Sequence, residues 1–304
     1  MDYIISAAQG GLSNRVKCLL SCMKISEETG RKLILYWPKD SACNSRFRDL
    51  FENEISEISK GELRFLIKKE RVSINKILDK KFALMDDTTL KSFSEKNISL
   101  MFEKIPPRVQ KEITSYLKKL KIKKEIIFSS QTFLKKIKGK FVGVHIRKGD
   151  FLRSKNGLEE ISPDKLFVEE MKVEVSKNPK IKFVISTEDK KTEEEFKKIF
   201  GERIFSYPKT TERREDSRAV REAFIEMLIL SKASKIIGTY GSTFSEVAWF
   251  LGNCKSKVKI ILDKIKFNLY KNSLKADKKI IGNKIKKFLY EKFYPPDERI
   301  LDRK

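Results

Sequence analysis

Apolar residues recur at two spacings along the chain. Tyr3-Ile-Ile-Ser6 is a short apolar run that predicts a strand. From Ser13 to Thr29, Val16, Leu19, Leu20, Met23 and Ile25 fall at helical spacing, and Gly30 closes the helix they predict. Lys32-Leu-Ile-Leu-Tyr-Trp37 is a second strand, stopped by Pro38. Strand, helix and strand in this order imply parallel strands joined by a right-handed crossover. The second half carries the same alternation. Strands are predicted at Phe141–Ile146, Lys182–Ser186, Lys235–Thr239 and Val258–Leu262. Helices are predicted at Ser162–Lys177, Thr192–Phe200, Ser217–Ala233 and Thr243–Leu251. In residues 40–138, short apolar pieces (Leu63–Ile67, Phe82–Met85, Ile98–Phe102) alternate with basic stretches, and Pro106-Pro107 opens a helix through Lys119. The pattern does not order those pieces. Lys278–Phe293 returns to helical periodicity, a segment placed to pack back across both halves. The expected class is α/β and doubly wound, divided near Lys138–Lys140 into residues 1–138 and 139–304.

Three loops follow predicted strands, where open α/β sheets hold their ligands. In Gln9-Gly-Gly-Leu-Ser-Asn-Arg15, Gly10 and Gly11 let backbone amides approach a ligand, with Asn14 and Arg15 directed into the cleft mouth. A tight turn capped by Ser13 accounts for the same residues equally well. In Gly143-Val-His-Ile-Arg-Lys-Gly-Asp150, alternation puts His145 and Arg147 on one face. Arg147 can fork onto a phosphate or carboxylate. Asp150 either orients that arginine or pairs with it at the surface. In Gly238-Thr-Tyr-Gly-Ser-Thr-Phe-Ser-Glu246, Ser242, Thr243 and Phe244 bring hydroxyls and amides to a positive helix end suited to a diphosphate. Thr243 and Glu246 also have the spacing of a capping box. Asp189, in Ser186-Thr-Glu-Asp189, is a nucleotide contact or an N-cap. On the helix before the third loop, Arg218, Arg221, Glu222 and Glu226 at three- and four-residue spacings read as surface ion pairs, with Glu226 near the end that faces the loop as the exception.

Composition narrows the chemistry. The chain of 304 residues holds 67 Lys and Arg, a net charge of +25 and a single histidine. Such a field attracts anions: nucleic acid, acidic lipid or a phosphorylated small molecule. The lysines nevertheless alternate with apolar and acidic residues in KKIKGK, KNPKIK and KKTEEEFKK, as on solvated helix faces. Without an aromatic-interleaved basic stripe, nucleic acid is not the expected partner. One histidine and four cysteines without a CxxC pair leave no His/Cys zinc set, so no metal is expected, and Asp86-Asp87 is a weak alternative. The cysteines read as reduced buried thiols. No run of about 18 apolar residues spans a membrane, and no signal peptide opens the chain. A cytoplasmic protein is expected.

Taken together, GGLSNR, HIRKGDF and IIGTYGSTFSEVAWFLG resemble, in order and spacing, the three motif regions of the α1,2-, α1,6- and protein O-fucosyltransferase superfamily. The resemblance runs from Gly10 to Gly252. It implies a GT-B fold, two Rossmann-like domains facing a cleft, with GDP-fucose held by the C-terminal one. It implies an inverting, metal-independent transfer without a cofactor, to a glycan, lipid-linked or protein hydroxyl. By the same likeness Arg147 grips the donor β-phosphate and assists departure of GDP, and Asn14 lies near the reacting sugar. His145 sits against the nucleotide, Ser242, Thr243 and Phe244 meet the phosphates, and Asp189 lies in the nucleotide region. Gly10, Gly11, Arg15 and Asp150 complete the donor set. The first loop has SNR where many members have GNQ or GNR, and the second a single arginine before Lys148 where α1,2-enzymes often have two. Neither the linkage nor the general base follows from the motifs. A GT-B enzyme using another nucleotide-sugar fits the same loops.

Overall fold

The computed structural model describes residues 2–7, 10–70, 82–87, 90–93, 105–148, 161–211 and 216–268. Asp150, the segment Ile98–Phe102 and the C-terminal helix expected at Lys278–Phe293 lie outside them. Two parallel sheets organise the rest. The first has the order β3-β2-β1-β4, from β1 (Tyr3–Ser6), β2 (Lys32–Leu35), β3 (Ser56–Glu57) and β4 (Phe82–Met85). The second has the order β7-β6-β5-β8-β9, from β5 (Phe141–Ile146), β6 (Lys182–Thr187), β7 (Ile204–Ser206), β8 (Lys235–Thr239) and β9 (Lys257–Ile261).

Alternation along the strands sorts side chains between the layers. In the first sheet Ile4, Ala83 and Met85 pack on Cys18, Cys22 and Ile25 of α1 (Leu12–Thr29). Ile5, Ile34 and Leu84 pack on Leu63 of α2 (Lys60–Glu70) on the opposite face. The apolar piece Leu63–Ile67 is therefore helix. In the second sheet Val142, Val144, Phe183 and Ile185 face α5 (Asp164–Lys177) and α6 (Lys190–Phe200). The other face lies against α7 (Ser217–Leu230) and α8 (Thr243–Leu251).

Between the sheets the chain forms α3 (Pro107–Lys119) and α4 (Lys124–Ile137). Both join the halves: α3 touches α1 and α8, and α4 packs along α7. Division at residue 138 thus separates the two sheets in chain order but not in packing. A single apolar core runs from Leu12, Val16 and Phe51 to Phe224, Val247 and Phe250. α1 is wedged inside it and buried almost all round, which explains why its apolar stripe is broad.

In each sheet the strand order reverses beside the first strand of the unit, between β1 and β4 and between β5 and β8. Crevices open at such switch points, beyond the carboxyl ends of the strands. The GGLSNR loop leaves β1, and the HIRKGD and TYGSTF loops leave β5 and β8. The expected α/β class and GT-B arrangement are what the fold displays.

Candidate active site

The carboxyl ends of β5, β6 and β8 gather a set of buried polar residues. The buried His145, at the end of β5, meets Ser245 Oγ through Nδ1 at 2.9 Å and Ser242 Oγ at 3.4 Å. Its ring stacks on Phe244, with centroids 4.5 Å apart and planes 20° apart. Burial, followed by the positive charges of Arg147 and Lys209, pushes its pKa down to about 3. The imidazole is therefore neutral at ordinary pH, a poor proton acceptor and well suited to an apolar wall. Gly238 makes this contact possible: a Cβ there would lie 2.9 Å from Ser245 Oγ.

Arg147 follows directly. Its backbone N–H donates to Thr239 Oγ1 at 2.9 Å, and the same hydroxyl donates to the His145 carbonyl at 3.1 Å. The turn out of β5 is thus pinned to the end of β8. The half-buried guanidinium pairs with Glu188 Oε1 at 3.2 Å. Glu188 also accepts from the Lys148 N–H at 3.3 Å, so the end of β6 steadies the segment carrying the arginine. Beside it, α8 begins with Ser242 as N-cap and no side-chain cap bond. Thr243 and Phe244 are half-buried there, where free N–H groups favour an anion. The expected capping box does not form, because the N-cap is Ser242 rather than Thr243, which puts Ser245 at N3; Glu246 pairs with Lys17 instead.

Glu226, on α7, is buried close to Ser186 at the end of β6. Burial raises its pKa to about 7, against the pull of Lys209, whose Nζ lies 3.4 Å from Oε1. Asp189 takes its N-cap role on α6: Oδ2 accepts from the Thr192 N–H at 2.8 Å and from its hydroxyl at 2.6 Å. Those bonds hold its pKa below the usual value.

The first sheet contributes the loop after β1. Gly10 adopts φ +94, and a Cβ there would come 3.1 Å from Asn14 Nδ2, so a glycine is needed under Asn14. Gly11 is the N-cap of α1, in place of Ser13, and both glycines and Asn14 remain half-buried. Arg15 does not point into the cleft mouth. It is 1% exposed and donates to the Gly10 carbonyl at 2.8 Å, to the Pro38 carbonyl, and to Asp40 Oδ2 at 2.6 Å. With Trp37 under its guanidinium, it is a brace for the loop. Lys17 is the group least visible in the sequence, because one buried lysine among so many looks like another solvated one.

Scanned against protein-family models and curated proteins, the sequence finds no match. As a structure it is similar to NodZ, an α-1,6-fucosyltransferase seen in Bradyrhizobium and in crystals soaked with GDP-fucose. The two chains share 14% identity over 82% of this chain and 92% of that one, with a TM-score of 0.56. A mutant of Arabidopsis thaliana FUT1 in complex with GDP shares 13% over 85% and 70%, at 0.52. POFUT1 in complex with GDP shares 13% over 86% and 98%, also at 0.52.

The chain has the fold of these fucosyltransferases.

Within that fold His145, Arg147 and the start of α8 lie at the β5/β8 switch point, beside the end of β6. Among the described residues no group of three or more His, Cys, Asp or Glu side chains gathers as a metal set, and no helix is long and apolar enough to cross a membrane.

Proposed function

We propose that this protein is a glycosyltransferase that moves fucose from GDP-fucose to a hydroxyl acceptor, with inversion and without a metal. The observation that carries the reading is the meeting of Arg147, His145 and the α8 N-terminus at one switch point. As the sugar–phosphate bond breaks, negative charge grows on the leaving diphosphate and the sugar becomes oxocarbenium-like. A guanidinium fixed by Glu188 and a helix start with unpaired N–H groups stabilise that charge where it develops. They supply the positive charge that other transferases draw from a bound cation. Neutral His145 holds Ser242, Ser245 and Phe244 in place. Asn14, on the opposite loop, is directed to the sugar side.

In this reading Glu226, buried beside Ser186 at the end of β6, is the carboxylate that would select guanine over uracil. Guanine offers adjacent N1–H and N2–H donors to a carboxylate, whereas uracil offers one N–H between two carbonyls. The GDP and GDP-fucose complexes among the similar structures agree with this choice.

The test is calorimetric titration with GDP, UDP and GDP-fucose, together with GDP release from GDP-fucose by native and Arg147→Ala protein. Native protein is expected to bind GDP well above UDP. Arg147→Ala is expected to lower turnover about 100- to 1000-fold, the usual loss for one transition-state donor. A native protein that ignores both GDP and GDP-fucose refutes the assignment.

A further inference from the structure

Lys17 and Glu246 meet in the interior, their side chains 0% and 1% exposed. One lies on α1, against the first sheet, and the other on α8, against the second. Lys17 Nζ donates to Glu246 Oε2, while the buried Oε1 has no hydrogen-bond partner. Burial pushes the glutamate carboxyl above its ordinary pKa despite the neighbouring ammonium. Lys17 stands five residues after Leu12, the first residue of α1, and Glu246 three residues after Thr243, the first of α8. Lys17 sits behind Asn14, and Glu246 behind Thr243.

A pair this dry and half-satisfied is a poor source of stability. Two apolar side chains of similar length hold helices together at least as well. A buried charge pair can instead supply register. A slip of one residue along either helix displaces the partner by about 1.5 Å and turns it by about 100°, which breaks the bond. Apolar packing tolerates such a slip more readily.

We propose that Lys17–Glu246 is a positioning latch that sets the Gly10–Asn14 loop against the α8 start, so that occupancy of one is transmitted to the other. The latch rests on the reading of α8 as the diphosphate end. It adds that the two crevices, one per sheet, act as one site.

Hydrogen exchange at residues 11–15 and 242–246, with and without GDP, tests it. The variants are Lys17→Met/Glu246→Met, which keeps length and gives the helices an apolar contact, and the reversed pair Lys17→Glu/Glu246→Lys. In the native protein GDP is expected to slow exchange about tenfold or more in both segments. In the methionine protein protection stays at 242–246 and is lost at 11–15, while GDP affinity changes by less than about threefold. The reversed pair restores protection to both. A native protein that binds GDP without protection at 11–15 overturns the latch, as does a methionine protein protected in both segments. If native protein binds no GDP, the donor reading fails by itself. The latch is then judged by ligand-free exchange, which must rise in both segments of the methionine protein; an unchanged segment overturns it.

Discussion

At the scale of single residues, His145 is part of the wall, stacked on Phe244 and bonded to Ser245. Its pKa of about 3, against an ordinary 6.5, means that between these values the unfolded chain takes up a proton that the fold refuses. Its contribution to stability is therefore complete above pH 6.5 and declines as pH falls towards 3. Glu226 has the opposite sense. With its pKa raised from 4.5 to about 7, the fold holds the extra proton, and stability falls as pH rises through that interval. In Glu226→Gln the second slope is gone. The thermal midpoint of that variant is expected to fall steadily from pH 6.5 to 4.5, measured by fluorimetry. A midpoint unchanged or rising over that interval would mean that His145 is protonated in the fold. The two-residue period predicts His145 and Arg147 on one face, but β5 ends at Ile146 and Arg147 leaves it in the turn pinned to Thr239. No such period reveals that Arg15 turns inward, because that depends on Pro38 and Asp40, more than 20 residues away. Lys17 is hidden for the same reason, its partner being 229 residues distant.

Among the elements, α8 decides the geometry of the candidate site, and its closeness to β8 depends on Gly238. An added methyl at this position would press on Ser245 Oγ at 2.9 Å and on its Cβ at 3.2 Å. Gly238→Ala is therefore expected to cost about 1–3 kcal/mol of stability, as overpacking does. It should also weaken GDP binding, because Ser245 must leave His145 and the helix start moves with it. Denaturant titration and calorimetry measure the two effects; native GDP affinity in a destabilised variant would separate the helix start from the ligand. Strands and helices with a clear period were legible along the chain: β1, β4, β5, β8, α3 and α8 have the expected limits. The missed elements have physical reasons. β7 has three residues, too few to show a period. α4 buries Ile126, Ser130, Phe133 and Ile137 at three- and four-residue spacing, but lysines and serines around that narrow stripe masked it. The order of the first sheet was not legible, because pairing is a long-range property.

Over the whole molecule, one apolar cluster bridges the two halves. Phe51 from the first half and Phe224 from the second have ring centroids 5.3 Å apart, and the same apolar cluster includes residues of α1, α3, α4, α7 and α8. Halves that share a core are expected to unfold together, so calorimetry should show one transition whose calorimetric and van't Hoff enthalpies agree. Two resolved transitions would mean that the sheets are energetically separate. The convergence of the loops could be anticipated from the rule for strand ends; the depth at which the halves interlock could not, since no local pattern encodes it.

The placement of α3 and α4 also governs how such a chain can be recombined. A chimera that exchanges the N-terminal half at residue 138, the natural-looking seam between sheets, would part α4 from its sequence-matched surface on α7. A crossover between Lys119 and Lys124 leaves α4 with α7, but it still splits the seams of α3 and α1 with α8. Exchange of the N-terminal half between chains of this architecture therefore requires the facing residues of α8, Glu246 among them, to travel with it.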